Sequence, residues 1–139
     1  MERVTITTHS AEETRQLAAR IAPKVPLGAC IALCGEMGAG KTVFVQGLAR
    51  GLGLNCAVTS PTFSLMNIYG DSLYHFDLYR LGEEEIAETG FEEFFGDPRH
   101  ISVVEWPHTA YLPAGFLQID ITATAPETRR IELPAALAE

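Results

Sequence analysis

The chain is sparing with cysteine, lysine, net positive charge and long apolar runs, and each shortage excludes something. Three cysteines occur in 139 residues, Cys30, Cys34 and Cys56, an odd number with no tight repeat, which argues against a disulfide framework. Cys30 and Cys34 lie in the apolar run ACIALC and read as small buried hydrophobes in a reducing cytoplasm. CxxxC without a second ligand pair is a poor zinc signature. No apolar stretch approaches the roughly 18–20 residues of a membrane-spanning helix. The opening MERVTITTHSAEE carries acids early and lacks a charged-then-apolar leader, so the expected location is cytoplasmic, with no membrane partner. Ten Lys and Arg stand against eighteen Asp and Glu, a net charge of −8. Such a chain is a poor binder of nucleic acid by itself, because phosphates demand a basic footprint. A nucleic-acid role would run through a partner. What remains is 47% hydrophobic, enough for an ordinary core, and at about 150 residues per domain it is one domain, 1–139.

Within it, Val4–Thr7 alternates as a short, edge-type strand. Ser10-Ala11-Glu12-Glu13 has the form of a capping box, followed by Leu17, Ala18, Ile21 and Ala22 at helical spacing and by Pro23 and Pro26, which end the helix. Ala29–Cys34 is continuous and apolar, as in a strand buried on both faces. Val45, Leu48, Ala49 and Leu52 line one helical face, and Gly53 supplies a stop. Phe63–Tyr69 and Ser72–Leu78 read as a hairpin about Gly70-Asp71. The acidic stretch Leu81–Phe95 reads as mostly helical, either a solvated face or a docking surface for a basic partner. Ile101–Val104, Phe116–Ile121 and Arg129–Leu133 complete the strands.

Between the buried strand and the amphipathic helix lies Gly35-Glu36-Met37-Gly38-Ala39-Gly40-Lys41-Thr42, a full match to G-x-x-x-x-G-K-[ST]. Glycines let the loop turn its backbone N–H groups around a phosphate, and the helix start, reaching Val43, adds amides and a positive dipole end. Lys41 is one of only two lysines in the chain and suits a point charge at the β and γ oxygens. The Thr42 hydroxyl suits a Mg²⁺ ligand.

Such a cradle needs an acid. Asp77, in His75-Phe76-Asp77-Leu78-Tyr79-Arg80, and Glu105, ending Ile101-Ser102-Val103-Val104-Glu105, both stand at strand ends. Either carboxylate could hold the metal or orient an attacking water. Ser60-Pro61-Thr62 sits where a Thr hydroxyl can sense metal and γ-phosphate. His75 and His108 read as packing or surface residues, and Trp106 either packs the core or covers the site. The chain lacks N-K-x-D, the usual guanine reader, and has no room for a kinase lid. ATP hydrolysis is therefore the expected chemistry, with a nucleotide-gated binding module as the alternative.

Taken together, GEMGAGKT with VFVQGLARGLG, then SPTFSL, HFDLYRL and VVEWP, in this order over about residues 29–107, resemble the TsaE (YjeE) family. The resemblance implies a bacterial ATPase, weak alone, that uses ATP and Mg²⁺ and acts with the TsaB–TsaD complex. That complex makes threonylcarbamoyladenosine (t6A) at position 37 of tRNA, so contact with tRNA is indirect. It implies Lys41, Asp77 and Glu105 as the catalytic set, with Thr42 and Glu105 at the metal. The nucleotide-binding set is then Gly35, Glu36, Met37, Gly38, Ala39, Gly40, Lys41, Thr42, Val43, Thr62 in a switch-like loop, and a basic residue of the last strand, for which Arg130 is taken over Arg129. Glu36-Met37 departs from the family's usual Asp-Leu. The expected architecture is a three-layer α/β P-loop fold with a central mixed sheet, parallel near the nucleotide, helices on both faces, and antiparallel edge strands from the C-terminal part.

Overall fold

A computed structural model describes residues 2–61 and 64–138. Seven strands form one sheet: β1 (Arg3–Thr8), β2 (Cys30–Cys34), β3 (Met66–Tyr69), β4 (Leu73–Asp77), β5 (Ile101–Glu105), β6 (Leu117–Ala123) and β7 (Arg129–Pro134). Their order is β1-β7-β6-β2-β5-β4-β3. β6, β2, β5 and β4 are mutually parallel, while β3, β7 and β1 pair antiparallel. The expected mixed sheet is present, with one difference at its margins. Of the C-terminal strands, β6 joins the parallel core and β7 is capped by the N-terminal strand, so β1 and β3 are the edges. The alternating exposure of β1 fits that position.

Helices α1 (Ala11–Ile21) and α2 (Lys41–Gly51) cover one face. They pack on Ile31, Leu33, Val103, Ile119 and Ile131. Helices α3 (Glu83–Thr89) and α4 (Glu92–Phe95) cover the other, where Ile86 and Phe95 meet Ala32, Phe76 and Val104. Strand parity sorts the two cores, since odd positions of β2, β4 and β5 face α1 and α2 and even positions face α3 and α4. A short helix, α5 (Ala135–Ala138), closes the described chain.

Local chemistry explains most boundaries. The Ser10 hydroxyl accepts from the Glu13 amide at 3.0 Å, and Glu13 reaches back to the His9 amide at 2.8 Å, one residue beyond the expected target. A 3-10 turn containing Pro23 ends α1. The acidic stretch is mostly helical, as expected, and is split into two short helices because Gly90 turns left-handed (φ 76°) between them. The expected strand from Phe63 starts only at Met66. Leu65 is left-handed (φ 70°) and its amide donates to the Pro61 carbonyl at 2.7 Å, a turn that holds Ser64 and Leu65 out of the ladder. Phe63 lies outside the described residues.

Candidate functional site

The parallel strands β2, β5 and β4 all end at one rim, and the side chains at that rim on the α2 face are the chemically loaded ones. Gly35–Gly40 leaves β2 there and folds into α2. Gly40 caps that helix at φ 100° and supplies no side-chain acceptor. Gly38 is also left-handed, at φ 77°. In these conformations a Cβ is strained, and the amides of Lys41, Thr42 and Val43 have no carbonyl one turn earlier to bond. The loop therefore presents donors and a positive dipole end to whatever lies before it. Glu36 and Met37 form its exposed crest, with Met37 65% exposed, while Ala39 is buried under it.

Lys41 is buried, and its ammonium donates to the Gly35 carbonyl at 2.7 Å. The same Nζ lies 3.8 Å from the centre of the Trp106 ring. Trp106 is held there in a left-handed backbone conformation (φ 53°), with the Tyr79 ring tilted against it at 4.9 Å between ring centres. Trp106 thus covers the site rather than the core. Burial pushes Lys41 below the usual lysine range, and the nearby Glu105 and Asp77 carboxylates oppose that shift. Asp77 and Glu105 face each other in the β4–β5 register, and both are buried. Asp77 accepts from the Tyr79 amide at 3.0 Å. Two acids and one ammonium thus share a rim with little water, where charge interactions are strong. Thr42 follows as the second residue of α2, half-buried.

Four features were not read from the sequence. His75 is fully buried and its Nε2 hydrogen-bonds the Glu105 carboxylate. In the sequence it reads as a packing or surface residue, because its partner is thirty positions away. Tyr69 stands beside it, its hydroxyl 3.4 Å from His75 Nδ1. Arg129, not Arg130, reaches the loop. Its Nε donates to the Ala39 carbonyl at 2.8 Å and Nη2 to that of Gly38 at 3.4 Å. Arg130 lies on the opposite face, half-exposed and 3.7 Å from Glu132. Parity held the signal: Arg129 shares its face with Ile131 and Leu133, the core side that α2 covers. Finally, a cleft of about 510 Å³ opens beside the loop, walled by Gly35, Glu36, Tyr79, Trp106 and His108, where His108 Nε2 lies 3.0 Å from the Leu81 carbonyl. Thr62 lies outside the described residues.

The residues fit a nucleotide phosphate chain with Mg²⁺. The loop offers amides and a desolvated ammonium, and the hydroxyl of Thr42 and two carboxylates flank it. Among the described residues no three His, Cys, Asp or Glu side chains form a metal cage.

Comparison with known proteins finds relatives along most of the chain. The model of the family described as threonylcarbamoyl adenosine biosynthesis protein TsaE matches residues 8–131. A protein of Bacillus subtilis (strain 168) named tRNA threonylcarbamoyladenosine biosynthesis protein TsaE is 38% identical over 133 residues, covering 92% of this chain and 83% of the relative. One of the same name from Treponema pallidum (strain Nichols) is 35% identical over 130 residues, covering 89% and 95%. The crystal structure of YdiB from Bacillus subtilis superposes with a TM-score of 0.78 at 32% identity, covering 95% of this chain and 84% of that one. With most of its length matched in sequence and in fold, and a phosphate cradle at the rim of the parallel strands, the chain belongs to the TsaE family of P-loop proteins.

Proposed function

We propose that this chain is a Mg²⁺-dependent ATPase of tRNA t6A37 formation, acting with the TsaB–TsaD complex to sustain repeated turnover. The observation that carries the reading is the juxtaposition at the rim: a desolvated Lys41 ammonium between an uncapped helix start and the paired carboxylates of Asp77 and Glu105.

In this reading the first-turn amides of α2 and the loop amides grip the β-phosphate, with Val43 the last of them. Lys41 leaves the Gly35 carbonyl and the Trp106 face and takes β and γ oxygens as its partners, neutralising charge that grows in the transition state. The Thr42 hydroxyl and the Glu105 carboxylate, directly or through water, would hold Mg²⁺, which would supply Lewis-acid withdrawal of charge from the phosphate chain. Asp77 orients the attacking water and accepts its proton as ADP and phosphate form. Adenine is favoured over guanine by the missing N-K-x-D element. The net charge of −8 fits contact with tRNA through the protein partners rather than directly, and no described helix is long and apolar enough to cross a membrane.

The test is ATP turnover with and without purified TsaB–TsaD and tRNA: slow alone, faster with both. Lys41→Ala should cripple ADP binding, and Glu105→Ala should reduce metal-dependent turnover. Normal hydrolysis in both variants would remove the site assignment. A second reading, that ATP gates docking and hydrolysis serves only release, draws on one contact chain. The Leu65 amide bonds the Pro61 carbonyl, and the Asp77 amide bonds the Leu65 carbonyl at 2.9 Å, so the Ser60–Pro61 segment is tied to a site acid. A non-hydrolysable ATP analogue separates the two. If it sustains many rounds of t6A formation, hydrolysis does not drive turnover.

A further inference from the structure

Beneath the Thr59–Pro61 segment lies a buried polar chain that the proposed chemistry does not use. His75 is fully buried, and its Nε2 meets the Glu105 carboxylate. Its other nitrogen, Nδ1, lies 3.4 Å from the Tyr69 hydroxyl. That hydroxyl donates to the Thr59 carbonyl at 2.8 Å and accepts from the Thr59 amide at 3.3 Å and from Asn67 Nδ2 at 3.1 Å. Asn67 donates to the Thr59 carbonyl as well, at 3.3 Å. His75 therefore stands between the Glu105 carboxylate and the Tyr69 hydroxyl, which is itself bonded to the Thr59 backbone.

We propose that His75 and Tyr69 are positioning residues that hold the Glu105 carboxylate and link it to the backbone at Thr59. The inference rests on Glu105 being the metal acid. His75 fixes the rotamer of Glu105 from the side away from the nucleotide, as outer-shell donors do for metal-holding groups. Tyr69 sets how firmly His75 is held. The same hydroxyl also bonds the Thr59 backbone, so the segment and the acid share one anchor.

Three variants and two readouts test this. Tyr69→Phe deletes only the hydroxyl, His75→Phe removes both nitrogens while filling the space, and His75→Gln keeps a donor for Glu105. In the nucleotide-free protein, exchange of the Thr59 amide should quicken about tenfold in Tyr69→Phe, since its acceptor is gone. By calorimetry, the Mg²⁺ concentration that half-saturates the metal-dependent gain in ADP affinity should rise about tenfold in His75→Phe and about threefold in Tyr69→Phe, with His75→Gln near wild type. ADP affinity without metal should stay within about twofold, because the phosphate-gripping amides are untouched. Wild-type Mg²⁺ dependence in folded Tyr69→Phe and His75→Phe overturns the proposal. So does a proportional loss of ADP affinity with and without metal, which would mark a general packing role. Should His75→Phe not fold, Tyr69→Phe decides. Glu105→Ala is the control: if its Mg²⁺ dependence is unchanged, Glu105 is not the metal acid and that reading fails, while Thr59 exchange still judges the link.

Discussion

Single side chains here hold backbone as much as they offer chemistry. Arg129 shows it best. Beyond its two bonds to the loop, its Nη1 donates to the carbonyls of Ala125, Pro126 and Thr128 at 3.0, 3.2 and 3.0 Å. One planar guanidinium therefore pins the β6–β7 turn to the phosphate loop. By drawing the Gly38 and Ala39 carbonyls toward itself, it keeps them from pointing at bound phosphate, where they would repel it. Arg129→Ala should lower stability by about 1.5–3 kcal/mol, the range for losing bonds to a charged donor, and should weaken MgADP binding about tenfold, measured by urea unfolding and calorimetry. Arg129→Lys should recover little of either, since an ammonium cannot span both segments. Arg130→Ala, which breaks only an exposed contact, should change stability by less than about 1 kcal/mol. Unchanged ADP affinity in Arg129→Ala would mean the loop holds its shape unaided.

At the scale of elements, what could be read in advance was what local chemistry encodes. The P-loop, its flanking strand and helix, the Ser10 cap and the two strand-end acids each declare themselves within a dozen residues. The dependence of His75 on Glu105, or the face of Arg129, follows from register, which long-range pairing sets. The contact between α1 and α2 belongs to the same class. A Cβ on Gly47 would sit 2.4 Å from the Arg15 carbonyl oxygen and 2.6 Å from the Ala18 Cβ, and one on Gly51 2.4 Å from the Ala19 carbonyl oxygen. These two glycines, one turn apart, let the helices touch backbone to backbone. In the sequence they look like mere helix weakeners. Gly47→Ala should gain up to about 1 kcal/mol of helix propensity yet lose more by overpacking, about 1–3 kcal/mol. The expected net is a lower melting temperature by circular dichroism. Because α2 begins at Lys41, ADP binding should weaken too. A higher melting temperature would show that the helices separate freely.

Over the whole molecule, the central strand β2 is the shared wall of both cores, and it ends in the phosphate loop. Cys30 and Cys34 bracket this strand, and Cys56 lies outside it, so the three thiols sample different depths of one structure. Burial pushes the Cys30 thiol up to about 12, and its side chain is only 3% exposed. Cys34, half-buried at the site end, is raised chiefly by burial and then by Asp120. Cys56 is exposed. The thiolate is the reactive form, so a neutral buried thiol is protected twice, by access and by protonation. Labelling with a thiol reagent at neutral pH should modify Cys56 at once and Cys34 slowly. Cys30 should react only as fast as the sheet opens globally, with an apparent opening free energy equal to that from urea unfolding. Ligand linkage then makes labelling a readout of binding. MgADP at about 100 times its dissociation constant should slow Cys30 labelling about 100-fold by stabilising the folded state, with Cys56 unaffected. Equal slowing at Cys56 would point to ligand shielding elsewhere. Cys30 labelling as fast as Cys56 would show that β2 opens locally, and a strand that opens locally cannot hold the phosphate loop in one shape.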